Sequence, residues 1–247
     1  MTLPHGLQVL TDLPLAIDPD EVLRFQGYKH GIDVPGPDVI ALFGAAHTLG
    51  DALMRPRAVV RWMPVVRIGD DGLGVAGQTL AIPGIAERWG CVESVAAGIC
   101  TIGETLEDRV RALWEAREFP LAVMLDSVGS AAVESLAEYV NDLLCQQGIP
   151  LGLKVTNRVS PGYGAWDVGE QARLFRLVSG EPIGVRLNEA CFMTPEKSMT
   201  LLVGAGPDAR VDHDFSQCAR CWMAGCAYRR VPARRTVHRG PGGTMRS

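Results

Sequence analysis

The sequence predicts an α+β fold. Three observations carry the prediction. Several segments have helical apolar spacing and a capping residue at their start, and β-rich runs are joined by a hairpin signal. The composition is globular, with 47% apolar and 21% charged residues in 247.

The elements follow in order. Asp18 caps a first helix, Pro19 suits its first position, and Glu21 stands where a capping box needs a carboxylate. Val22, Leu23, Phe25 and Tyr28 form its apolar side. A second helix over 38–54 stops before Arg55-Pro56, because the residue before a proline is pushed out of the helical region. Residues 57–68 read as a strand bent or bulged at Pro64. Asp70-Asp71-Gly72 is a hairpin turn, and residues 74–82 return as the partner strand. A buried strand lies within 91–103, preceded by a short helix. Thr105 starts a helix with apolar Leu106, Val110, Leu113 and Trp114, and Pro120 opens a longer one through Leu144, ended by Gln146-Gln147-Gly148. Residues 154–157 make a short strand and Ser160-Pro161-Gly162 a turn. Asp167 caps a helix over 168–178, with Glu170 at the capping-box position, and strands follow at 183–188 and 198–203. Residues 1–210 form one domain, and 211–247 a Cys- and Arg-rich C-terminal extension with little core of its own.

Charge is unevenly spread. The formal net charge is −4, but the last nineteen residues carry six Arg and no acid, which leaves −10 on the first 228. Six Arg beside Gly and Pro read as a solvated tail, and an acidic body argues against nucleic-acid binding. The N-terminus lacks the basic start and small-residue exit of a secretory signal, and no uninterrupted apolar run reaches membrane-spanning length. The expectation is a cytoplasmic protein with reduced thiols and no membrane partner.

The common enzyme signatures are missing: there is no P-loop, no G-x-S-x-G elbow and no H-E-x-x-H. Gly72-x-Gly74-x-x-Gly77 has the spacing of a dinucleotide fingerprint but lies between two strands, so it is read as chance. The informative stretch is 158–167, which leaves a strand, turns through Pro161-Gly162 and enters a helix. Such a turn sets backbone donors beside a helix start, and Gly162 and Gly164 allow close approach to the main chain. Tyr163 and Trp166 offer flat faces, and Arg158 offers a fork for a carboxylate. The same pattern also suits an ordinary tight strand–helix connection with aromatic packing.

Arg158-Val159-Ser160-Pro161-Gly162-Tyr163 resembles the R-x-x-P-G-Y turn of the activation domain of cobalamin-dependent methionine synthase. Trp166, Glu170-Gln171 and Phe175 follow in similar order. Residues 188–198, with Glu189, Met193, Pro195 and Ser198, resemble that family's T-E-x-x-x-M-x-P-x-x-S pattern, and Gly204 follows. Weaker similarity extends to Thr101-Ile102-Gly103, Leu125-Asp126-x-x-Gly129 and, in free-standing relatives, Glu21-Val22-Leu23-Arg24 and Gly27-Tyr28.

The resemblance implies an antiparallel or mixed sheet flanked by helices, and a site for S-adenosylmethionine. Its residues would be Arg158, Ser160, Pro161, Gly162, Tyr163, Gly164, Trp166 and Glu189. Arg158 would take the methionine carboxylate, the Ser160 and Gly162 main chain the amino-acid and ribose portions, and Tyr163 the adenosyl group or corrin face. The N-terminal acidic residue that contacts S-adenosylmethionine in the large enzyme has no clear counterpart here; Asp18 and Asp20 are the candidates for it. The implied chemistry is reductive methylation of a corrinoid on a cobalamin-binding methyltransferase partner, with one electron from a donor such as flavodoxin or ferredoxin. The reduced cobalt is already a strong nucleophile, so the protein's task is positioning and solvent exclusion rather than acid–base work. The chain would be a methyltransferase-associated activation subunit, and its length leads us to expect action in trans. The alternatives are a non-catalytic corrinoid-protein docking module and a redox protein.

The redox alternative rests on Cys218-x-x-Cys221-x-x-x-x-Cys226. The spacing of the first two lets both thiolates reach one tetrahedral metal, with His213 as a fourth ligand. Zinc, an iron–sulfur cluster, a redox-active Cys218/Cys221 pair and plain free thiols all remain open at this point.

Overall fold

The first elements form where local chemistry allows them. The computed structural model describes residues 2–29 and 32–212. A strand that sequence reading did not anticipate, β1 (Leu7–Thr11), precedes α1 (Pro19–Phe25). Asp18 caps α1 by accepting the Asp20 amide at 2.9 Å, as expected, while Glu21 turns to Arg24 at 2.9 Å. The second helix, α2 (Pro37–Leu53), ends one residue before Arg55-Pro56.

Strand β2 (Arg57–Gly69) is long, and Pro64 stays in register opposite Ser94. The irregularity lies just beyond it, between Val65 and Arg67. The expected return strand over 74–82 is instead two strands, β3 (Gly72–Val75) and β4 (Gln78–Leu80). Ala76 and Gly77 make the extra turn, both at positive φ (46° and 73°). Helix α3 (Ile85–Trp89) leads into β5 (Ser94–Thr101), then α4 (Thr105–Glu115) and α5 (Phe119–Gly148). Strand β6 (Lys154–Val155) is shorter than expected.

Asp167 caps a 3-10 turn (Val168–Glu170) that runs into α6 (Gln171–Leu177). Glu170 does not close a capping box. Its carboxylate accepts the Ala81 amide at 2.8 Å and pairs with Arg173 at 2.5 Å, which ties α6 to the end of β4. In place of a strand over 183–188 there is a 3-10 turn (Glu181–Ile183) and a small hairpin of β7 (Arg186–Leu187) and β8 (Met193–Thr194). Strand β9 (Ser198–Gly206) closes the described fold.

The main sheet runs β4-β3-β2-β5-β9-β6, with β1 also on β2, and every pairing is antiparallel. Both faces are buried, so β9 has no exposed residue and β5 reads as an almost continuous apolar run. Alternation sorts the strands into two cores. Ala58, Val60, Ala96, Leu201 and Val203 face α5 and the helices packed with it, and Val59, Val95, Ile99 and Leu202 face α3, α6 and Trp166. Gly204 permits the second core to close. A Cβ there would stand 2.8 Å from the Trp89 ring and 2.7 Å from Val92.

Helix α5 is long and apolar enough to cross a bilayer by length and composition alone, although no uninterrupted apolar run marks it in the sequence. It packs against the sheet and against α1, α2 and α4, with 56% of its most apolar window buried. Its remaining surface matters for the site. Asp126, Ser130, Glu134, Glu138 and Asp142 recur every fourth residue and form one polar ridge.

Candidate functional site

The turn after β6 is built as a tight unit. Val159 bridges to Leu202, which fixes the chain to β9 before it turns. Ser160 donates its hydroxyl to the Thr200 carbonyl at 2.5 Å. Its own carbonyl accepts the Tyr163 amide at 3.2 Å, and the Gly162 amide donates to the Trp166 carbonyl at 2.9 Å. The Ser160 carbonyl and the Gly162 amide, two of the main-chain groups expected to face a ligand, are therefore used inside the turn. Gly162 and Gly164 sit at φ +87° and +61°, a region that side chains with a Cβ resist. That favours glycine at both, independent of any ligand.

The two aromatic residues part company. Tyr163 is half-buried, and its hydroxyl donates to Glu134 at 2.9 Å. Trp166 is 4% exposed and lies in the second core, so its ring is not an open face. Pro161 is buried and Gly162 exposed at the apex. Glu189 is exposed in the turn between β7 and β8. There the Asn188 side chain accepts the Ala190 and Phe192 amides at 3.0 and 2.9 Å. The Cys191 thiol lies 3.8 Å from the Gly169 carbonyl, which sets this hairpin against the start of the 3-10 turn rather than over Arg158.

Arg158 is 3% exposed and its fork is already engaged. Nη2 donates to Glu134 at 2.7 Å and to Glu138 at 2.8 Å, Nε donates to Glu138 at 3.0 Å, and Nη1 meets the Met199 sulfur at 3.2 Å. Burial works against the charge, but the Glu138 and Glu134 carboxylates outweigh it and hold the guanidinium firmly protonated. Cys100 lies beneath this cluster. Burial pushes its thiol up to about 12, with Arg158 pulling down and Glu134 pushing up.

Further along the ridge, Lys197 donates to Asp126 at 2.7 Å and Ser130 at 2.9 Å. Its amide donates to Glu107 at 2.7 Å, and desolvation raises the Glu107 carboxyl above the ordinary carboxylate range. The ridge of α5 thus meets two cations, Lys197 just before β9 and Arg158 after β6, with Met199 of β9 against Arg158.

A solved structure matches this architecture. The crystal structure of the MetH reactivation domain bound to AdoHcy superposes with a TM-score of 0.63 at 19% identity, covering 83% of this chain and 80% of that one. The chain has the fold of the MetH reactivation domain. No protein-family model matches the sequence, nor does any curated protein.

Within the reactivation-domain fold, the residues that sequence reasoning missed are Glu134 and Glu138. The signal was present, since carboxylates four residues apart interrupt an otherwise apolar helix, but helical spacing alone does not say that Arg158 will meet them. Asp18 caps α1 and Asp20 lies in its first turn. Cys218, Cys221, Cys226 and His213 lie outside the described residues. Among the described residues, no group of three His, Cys, Asp or Glu is placed to hold a metal ion.

Proposed function

We propose that this chain binds S-adenosylmethionine between the 158–163 turn and α5, and takes part in reductive methylation of a cobalamin protein that it engages in trans. The observation that supports this most is the Arg158–Glu134–Glu138–Tyr163 cluster, carried on a fold whose solved representative holds AdoHcy. One guanidinium and two carboxylates carry a formal charge of −1. S-adenosylmethionine, with a sulfonium, an ammonium and a carboxylate, carries +1. The donor set therefore fits the ligand's charge and supplies a partner of each sign.

In this reading Arg158 takes the ligand carboxylate and Glu134 its ammonium. Glu138, whose side chain is 62% exposed, swings outward to release the fork. Tyr163 packs against the adenosyl side, and the turn around exposed Gly162, with Pro161 and Gly164, holds it there. Ser160 and Trp166 act behind the site, Ser160 through the Thr200 carbonyl and Trp166 through the second core. Glu189 belongs to the rim at the β7–β8 turn. One electron from a donor such as flavodoxin or ferredoxin would take the partner's Co(II) to Co(I), which would accept the sulfonium methyl and leave S-adenosylhomocysteine at the Arg158 site. No side chain has to move a proton, so the task is orientation and exclusion of water.

One observation favours a second reading. Arg158 is fully engaged by this chain's own glutamates, which suits a docking module in which the cluster is structural. An anaerobic reconstitution separates the two. A cobalamin methyltransferase stripped of its own activation domain is held as Co(II), then given reductant and S-adenosylmethionine. The proposal expects the methylcobalamin spectrum only when this chain is added, and an unchanged Co(II) spectrum would overturn it.

A further inference from the structure

At one end of the sheet the register sets four residues in a row. Thr11 stands opposite Arg57, Arg57 opposite Thr101, and Thr101 opposite Ser198. Cross-strand partners share a face. The Thr101 and Ser198 hydroxyls satisfy each other at 2.9 Å. Arg57 has no comparable arrangement: its Nε is buried and has no hydrogen-bond partner among the described residues.

Beside it lies an open cleft of about 660 Å³, where β1 ends and the chain passes from α2 into β2. It is lined by Thr11, Asp12, Met54, Arg55, Pro56 and Arg57. Arg55 is exposed, with Nη1 on the Ala52 and Met54 carbonyls at 3.0 and 2.7 Å. Gly103 lies beside both arginines. It holds φ +83°, and a Cβ there would lie 3.6 Å from the Arg55 Cβ and 3.9 Å from Arg57 Nη2.

We propose that this cleft binds a small oxyanion, a carboxylate or phosphate headgroup, with Arg57 as its principal ligand and Arg55 as the second. The Arg57 fork finds no side-chain hydrogen-bond acceptor among the described residues, and an oxyanion in the cleft supplies one to the terminal nitrogens, while the buried Nε stays behind them. Met54 is 5% exposed and, with Pro56, gives the cleft an apolar side. Asp12 tunes the site. Two arginines and one aspartate give the lining a formal +1, which matches a singly charged headgroup better than a polyanion. The site is separate from the Arg158 cluster and does not depend on the function proposed above.

The test is a titration of the full chain with acetate and, separately, inorganic phosphate at low ionic strength, followed by amide chemical shifts. Saturable shifts at Met54, Arg55, Arg57 and Gly103 are expected with at least one anion, and the tighter arm identifies the headgroup. Arg57→Met should weaken that binding about tenfold, and Arg57→Lys should weaken it less, because charge survives without the fork. The six C-terminal Arg attract anions too, but they are unchanged in these variants. Should Arg57→Met fail to fold, Arg55→Gln reads the same site, with roughly threefold weaker binding expected. Absence of saturation with both anions, or variants that bind like the parent, would overturn the proposal.

Discussion

Glu134 holds Arg158 on one carboxylate oxygen, at 2.7 Å, and the Tyr163 hydroxyl on the other, at 2.9 Å. A single helix residue therefore clamps the first and last positions of the 158–163 turn. The turn cannot shift relative to α5 without breaking a charge-assisted bond in a largely buried setting. Four predictions follow from this arrangement and its surroundings, and a fifth tests the central claim.

Removing Arg158 should be costly. Arg158→Ala leaves Glu134, only 20% exposed, facing Glu138 without its cation. The expected loss is about 3 kcal/mol, because breaking one side of a buried pair strands the other. Arg158→Lys should recover only part of this, since an ammonium cannot fork to both glutamates. Urea denaturation midpoints check it.

Cys100 should be inert in the folded state. With its thiol pushed up to about 12 by burial, it should resist alkylation at pH 8, while exposed Cys91 reacts. The folded-state value lies above the unfolded one, so this group's contribution is fully present below the ordinary thiol value of 9.0. It is lost as pH rises from there through about 12. Site-resolved mass spectrometry after brief iodoacetamide treatment, with and without urea, reads the first effect. Cys100→Ala should flatten the alkaline arm of the stability curve.

Glu107 should weaken the fold when ionised. Its carboxyl is raised by desolvation, so the stability it contributes is present at acid pH and declines as pH rises through its folded value. Glu107→Gln keeps an oxygen to accept the Lys197 amide and removes the charge. It should therefore gain on the parent near pH 7, with the gain vanishing below the ordinary carboxylate range. Thermal midpoints across pH 4–8 would show it.

Gly164 tests the turn without touching the cluster. At φ +61° with open space around its Cα, Gly164→Asn should be tolerated to within about 0.5 kcal/mol, because Asn visits this region. Gly164→Val should cost about 1–2 kcal/mol for the same φ. Equal destabilisation by both would contradict the backbone account.

Much of the architecture was legible in the sequence. Asp18-Pro19 and Pro120 marked two helix starts and Arg55-Pro56 one helix end within a residue, because each signal acts locally, whereas α1 stops at Phe25, short of Tyr28, and α5 runs on through Gln146-Gln147-Gly148. The β3–β4 hairpin was not legible. Its turn uses Ala76 at positive φ instead of an Asn-Gly or Asp-Gly pair, so no turn chemistry announced it. Strand β1 was hidden because its outer residues Leu7 and Val9 stay exposed, blurring the alternation. The turn 158–166 was legible as a unit, but not which side chains face outward. Whether Trp166 joins the core or the surface depends on α6 and β9 folding over it, and whether Arg158 is free depends on the rotation of α5.

The most direct measurement is calorimetry of S-adenosylmethionine binding to the parent chain, Glu134→Gln and Tyr163→Phe. Glu134→Gln keeps the shape and one oxygen but loses the charge that pairs with Arg158, and Tyr163→Phe removes one hydroxyl bond, so the fold should persist, which circular dichroism would check. The account predicts saturable one-to-one binding by the parent, at least tenfold weaker binding in Glu134→Gln, and a smaller loss in Tyr163→Phe, because the charged interaction outweighs the neutral one. No binding by the folded parent, or affinity unchanged in Glu134→Gln, would contradict it.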